Sequence, residues 1–141
     1  MTNLKLYNLS KFLYIKKIPF LPKLFNRLLR IIYSCEIPNS VKIGKNVVFS
    51  HKGLGVVIGH DTEIGDNCKI LQNVTIGGRS GIRANPKIGN SVLIGAGAII
   101  LGDITIGDNA KIGAGAVVIK SVAEGQTVVG NPAKPINNEI R

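Results

Sequence analysis

The chain has 141 residues, 18 Lys+Arg against 8 Asp+Glu and a formal net charge of +10; that length suits one ordinary domain and excludes two. A hydrophobic fraction of 45% excludes wholesale disorder, and with aromatics at 5% and no Trp the core has to come from Ile, Val, Leu and Ala. No apolar run approaches the roughly 18 residues of a spanning helix, and two cysteines cannot frame a disulfide scaffold, so a reduced cytosol is the expected compartment.

Residues 1–34 read as a basic arm. Lys5, Lys11, Lys16, Lys17, Lys23, Arg27 and Arg30 give +7 before the first acid, Glu36. The 106 residues after Cys35 hold the other 11 basic and all 8 acidic side chains, or +3. Leu24, Leu28, Ile31 and Ile32 recur at helical spacing, with Lys23, Arg27 and Arg30 on the other face. This predicts a short amphipathic helix after the breakers Pro19 and Pro22. Lysines interrupt every apolar stretch and no A-x-A site follows, which argues against a secretory signal. Two readings of the arm stand. In one, the helix packs on the main domain or on a neighbouring subunit and its basic face is solvated. In the other, it makes a peripheral contact with an anionic membrane, worth about 1 kcal/mol per basic residue near the lipid.

Residues 35–136 carry an internal repeat, with 137–141 as a tail. Ile58, Ile64, Ile70, Ile76, Ile82, Ile88, Ile94, Ile100, Ile106, Ile112 and Val118 are six apart, and Gly follows directly at 59, 65, 77, 89, 95, 107 and 113. Two positions before each aliphatic residue sits a mostly small or β-branched one, from Val56 and Thr62 through Cys68 and Ser80 to Ala116. Ile37, Ile43 and Phe49 keep the period in another phase, so residues 50–57 hold an insertion. Six fits neither a helix nor a heptad. It fits short strands joined by tight turns, three to a triangular coil of 18 residues, with coils stacked about 4.8 Å apart. The glycine after each aliphatic residue is expected to supply the corner conformations. The stretch 77–87 breaks the glycine rule and predicts a projecting loop, with Ile82 in phase by accident.

The pattern [I/V]-G-x-x-x-x resembles the hexapeptide-repeat acyltransferases. The segments SHKGLGVVIG (50–59), ILQNVTIGG (70–78), NPKIG (85–89), IGAGAIILGDITIGDNAKIGAGAVV (94–118) and VVGNPAKPI (128–136) are similar to serine acetyltransferases. They are equally similar to the O-acetyltransferases of capsule and exopolysaccharide synthesis. The resemblance implies a left-handed parallel β-helix, a homotrimer with sites between subunits, and acetyl-CoA as co-substrate without a metal. The long helical domain of serine acetyltransferases is replaced by the short arm.

By the same resemblance His51 is the catalytic base, a role that suits imidazole near neutral pH. Glu36, in CEIP, takes the place of an Asp that orients the histidine; its other reading is a solvated acid ending the arm. Gly78, Ala96 and Ala114 match small positions along the pantetheine arm, and backbone N–H groups near Gly77 and Gly78 are candidate oxyanion donors. Lys120 and Lys134 are placed for coenzyme A phosphates. For the acceptor, Ala84-Asn85 stands where serine acetyltransferases have Arg-His, and Ser50 stands where they have Asp. Arg79 and Arg83 are the nearby cations. An amino-acid carboxylate wants a bidentate Arg, whereas a sugar hydroxyl needs none. These changes favour a glycan or sugar acceptor, with L-serine as the alternative.

Cys68, in the small-residue slot, reads as a buried structural thiol, and His60 as a solvated turn residue. Three rival classes are weaker. A zinc hydratase of similar fold needs three histidines per metal and the chain has two. A nucleic-acid binder, suggested by the basic balance, would show basic and stacking residues on the repeat domain. A trimeric scaffold without activity would tolerate loss of His51.

Overall fold

The structure is a computed structural model and describes residues 4–81 and 84–136. Helix α1 (Lys5–Ile15) and helix α2 (Leu21–Tyr33) precede a solenoid of two- and three-residue strands. The strands fall on three faces. One holds Lys42–Ile43, Glu63–Ile64, Lys87–Ile88 and Thr105–Ile106; the next Val48–Phe49, Lys69–Ile70, Leu93–Ile94, Lys111–Ile112 and Thr127–Val129; the third Val57–Ile58, Thr75–Gly77, Ile99–Leu101 and Val117–Val118. All these pairings are parallel. Only the closing strand Lys134–Ile136 runs back, antiparallel to Thr127–Val129.

Register explains the period. Ile58 pairs with Ile76, 18 positions on, as the repeat predicts. Ile64 pairs with Ile88 and Ile70 with Ile94, 24 positions on, because the stretch 78–86 adds one hexad's length without adding a strand. Ile43 and Phe49 pair with Ile64 and Ile70, 21 positions on, since the turn around His51 adds three residues. The inward residues form continuous ladders: Ile58, Ile76, Ile100 and Val118 are all 2% exposed or less. The slot two positions earlier is buried as predicted at Val56, Thr62, Cys68, Val74, Val92, Ala98, Ala110 and Ala116. Ser80 is the exception and lies exposed, because its stretch has left the coil.

The glycines do something other than expected. Positive φ falls three positions before the inward residue, on Asn67, Asn73, Asn109, Gly97 and Gly115, and not on the glycine after it. Asn and Asp tolerate this region because their side chains bond locally. The glycines after the aliphatic residues are required instead by the next coil. A Cβ at Gly95 would lie 2.5 Å from the Ala114 nitrogen and 2.8 Å from the Gly113 carbonyl carbon. Gly95→Ala is therefore expected to lower stability by about 1–3 kcal/mol, read as a fall in Tm. Gly77→Ala, with nothing within 4 Å of the added carbon, leaves Tm unchanged.

The arm caps the open end of the first coil. Tyr7 and Lys11 donate to the Val41 carbonyl, Ser10 Oγ donates to Asn39 Oδ1 at 3.2 Å, and Leu4 packs over Gly53. Burial without a partner charge pushes the Tyr7 hydroxyl up to about 12. α1 is not apparent in the sequence, because Ser10 and Lys11 sit on its inward face and disguise its period. The predicted α2 forms, but packs through Pro22 and Leu29. Its apolar stripe stays in solvent, with Leu24 at 51%, Ile31 at 78% and Ile32 at 56% exposure. The side with the larger apolar area is therefore not the side that covers the coil.

Candidate functional site

The turn Ser50–Gly53 positions His51. It follows the inward Phe49, and Gly53 holds φ +72 against Leu4 and Cys35, where a Cβ would come within 3.4 Å of both. His51 itself has φ +51, ψ +34, and its side chain is exposed. Phe49, Ile70, Ile94 and Ile112 are register partners, so the residues two positions on, His51, Gln72, Ala96 and Ala114, line one edge of the prism. Backbone bonds tie that edge together: Gly97 N–H donates to the Gln72 carbonyl at 2.9 Å and Gly115 N–H to the Ala96 carbonyl at 2.8 Å. Three rungs separate His51 from Ala114, about 14 Å at the usual strand spacing. The space beside Gly97 and Gly115 is open.

Gln72 is a residue that sequence reasoning passed over. Its Oε1 is buried and has no hydrogen-bond partner among the described residues, an unfavourable state for an acceptor, costing about 1–3 kcal/mol. Its place on the His51 edge follows from register, which a search of single motifs does not reveal.

A second edge carries His60, Gly78, Gly102 and Lys120, each two positions past Ile58, Ile76, Ile100 and Val118. Asn85 belongs here, its Nδ2 donating to the His60 carbonyl at 2.5 Å. The His60 ring is exposed, as the sequence suggests, but it also meets Ser40 Oγ at 3.2 Å. Arg79 is exposed and its side chain lies beside Gly102. Gly77 adjoins this edge in open space. Arg83 and Ile82 lie outside the described residues.

The third edge is structural. Side-chain oxygens of Asp66, Asn90 and Asp108 accept from the backbone N–H of Lys45, Asp66 and Asn90 one coil earlier, at 2.6, 2.9 and 2.7 Å.

The predicted site residues are thus divided. Ser50, His51, Ala96 and Ala114 share the first edge; Gly77, Gly78, Arg79, Asn85 and Lys120 belong to the second. Lys134 is exposed on the closing strand. One side of the triangle separates the two edges, six residues or up to about 20 Å, so one chain does not bring the two sets together. Glu36 sits one coil before Val57, to which it is bridged, and its carboxylate meets Arg30 at 3.5 Å. No hydrogen bond joins Glu36 to His51 among the described residues.

The chemistry of the cysteines agrees with a structural role. Burial pushes the Cys35 thiol up to about 12 and raises that of Cys68, whose Sγ donates to the Gly89 carbonyl at 3.0 Å. Neither is a thiolate near neutral pH. No group of three or more His, Cys, Asp or Glu able to hold a metal occurs among the described residues.

Known proteins share the repeat and the fold. Residues 85–120 match the model "Bacterial transferase hexapeptide (six repeats)". That stretch of the chain thus carries a hexapeptide transferase repeat. Its repeat is similar to a serine acetyltransferase of Synechococcus elongatus, 41% identical over 72 residues, which is 51% of this chain and 29% of that protein. The fold is that of the left-handed β-helix of serine acetyltransferases. A Neisseria gonorrhoeae serine acetyltransferase in complex with serine superposes with TM-score 0.84 at 39% identity, over 92% of this chain and 54% of that one. A Brucella abortus serine acetyltransferase in complex with coenzyme A gives 0.87 at 35% identity, over 94% and 54%. The chain spans about half the length of these solved relatives.

Proposed function

We propose that this hexapeptide-repeat protein is an acetyl-CoA-dependent O-acetyltransferase. The observation that carries the reading is the edge on which an accessible imidazole, His51, stands in line with the small residues Ala96 and Ala114. An extended thioester donor laid along Ala114 and Ala96 would present its carbonyl near His51. Gln72 lies between His51 and Ala96 on that edge, and its buried, unpartnered Oε1 would meet an amide N–H of such a donor only with the side chain turned outward. Lys134, and Lys120 brought by the second edge of a neighbouring subunit, would supply cations for the donor's phosphates.

The reaction is direct. His51 takes the proton of the acceptor hydroxyl as that oxygen attacks the thioester carbonyl carbon. The C–S bond then breaks, and the imidazolium returns its proton to the departing thiolate. Backbone N–H groups near Gly77 and Gly78 are the candidate donors to the oxyanion, worth roughly 3 kcal/mol each when well aimed. They lie on the other edge, so the working site needs a second subunit, as in the trimer proposed from the family. Glu36 becomes the orienting carboxylate if it leaves Arg30 for the far imidazole nitrogen.

For the acceptor, the names of the relatives speak for L-serine. One observation favours a second reading, a sugar hydroxyl: Ala84 and Asn85 offer no cation for a carboxylate, and Asn85 is engaged with the His60 carbonyl. Thiol release from acetyl-CoA, measured with L-serine and with a panel of sugars, tests both. Turnover with L-serine above the rate of water alone is expected. Turnover with sugars only moves the acceptor to the second reading, and no release with either removes the proposal.

A further inference from the structure

The arm holds a feature that acetyl transfer does not use. Among the described residues, ten of the fifteen large hydrophobic side chains left exposed lie between Leu9 and Ile32. The same segment contains no acid. On α2 the exposed apolar stripe of Leu24, Ile31 and Ile32 runs beside Lys23 and Arg27, also exposed. On α1 the Lys16 ammonium lies 5.8 Å from the centre of the exposed Phe12 ring.

A surface helix of a water-soluble domain normally turns its apolar stripe to the core. α2 turns it outward while anchored by Pro22 and Leu29, so the stripe is free for something else. Among the described residues no helix is long and apolar enough to cross a membrane. An exposed apolar stripe flanked by Lys and Arg instead suits a helix lying in the headgroup region, apolar side chains inserted and cationic heads reaching lipid phosphates.

The geometry points to the arm as a reversible anchor that lays α2 on an anionic lipid surface. Charge selects this occupant over a second copy of the chain. Arm against arm would press two acid-free cationic faces together, whereas anionic lipid neutralises them. Position agrees: the arm caps the first coil, so its outer face lies at the end of the prism, away from the Ala96 and Ala114 rungs of the His51 edge. The inference rests on the arm alone and stands or falls apart from the acetyl-transfer reading.

Co-sedimentation of the full chain with vesicles tests it. Binding is expected to vesicles of phosphatidylcholine mixed with phosphatidylglycerol, to fall as salt rises, and to be absent with phosphatidylcholine alone. This contrast needs no variant. Replacing Lys16, Lys23 and Arg27 with Gln should weaken binding about five-fold per charge, on the order of a hundred-fold together. The combination Leu24→Ser, Ile31→Ser and Ile32→Ser should abolish it with an unchanged circular dichroism spectrum. Equal binding to both vesicle types, or none to the anionic one, overturns the proposal. So does a serine variant that keeps vesicle binding but changes oligomer mass in light scattering, since the stripe would then be a subunit contact.

Discussion

His51→Asn lowers thiol release from acetyl-CoA by roughly 10²–10⁴-fold, the usual contribution of a positioned general base, and leaves the melting temperature where it was. The choice of Asn matters. His51 holds φ +51, a region that Asn tolerates and most residues do not. Alanine would add about 1–2 kcal/mol of left-handed strain and confuse a chemical loss with a local rearrangement of the turn. The exposed side chain makes no hydrogen bond among the described residues, so removing the imidazole takes nothing from the core. Assay of thiol release beside a thermal melt separates the two effects. A variant that releases thiol at the parent rate leaves His51 as a surface residue and returns the fold to the scaffold reading.

Ile100→Ala is expected to remove about 2–5 kcal/mol of stability, the range for truncating a fully buried aliphatic side chain. Ile100 is 0% exposed and stands between register partners Ile76 and Val118, which are 0% and 2% exposed. Coils touch only their neighbours, so one gap in the ladder weakens two interfaces at once. Aromatic side chains are nearly absent from the coil, Phe49 excepted, which leaves little bulk to collapse into the void. Urea denaturation of the variant reads the loss as a lower midpoint at unchanged slope. Ile31→Ala, at a position 78% exposed, is the control and should stay within about 0.5 kcal/mol. A midpoint shift for Ile100→Ala no larger than the control's would mean that the coils close the gap by relaxing.

Much of the coil is legible in the order of the amino acids. The inward aliphatic ladder and the small-residue slot follow from a period of six. Two features of the same repeat are not legible in that way. The glycine after each Ile reads as a corner residue, yet the corners fall on Asn67, Asn73, Asn109, Gly97 and Gly115. Gly95 is glycine because the neighbouring coil leaves no room for a Cβ. Contact between coils is invisible to a local reading, whereas side-chain tolerance of positive φ is local and is signalled by the recurring Asn. Ser80 keeps the period while leaving the coil, because the stretch 78–86 lengthens the register step by six residues, from 18 to 24.

The site is legible one residue at a time. His51 stands out through the phase slip, and Ala96 and Ala114 through resemblance. Gln72 and the division of the candidates between two edges come from register alone.

The sequence by itself determined the period, the identity of the core, the concentration of charge in residues 1–35 and the residue types available for chemistry. Each of these depends on spacing along the chain or on composition. Tertiary structure decided which face of α2 meets the coil, where Glu36 finds its partner, and which candidates share an edge. Those outcomes depend on register between coils, and the register steps of 18, 21 and 24 residues are set by turns whose lengths mean nothing until the strands have paired.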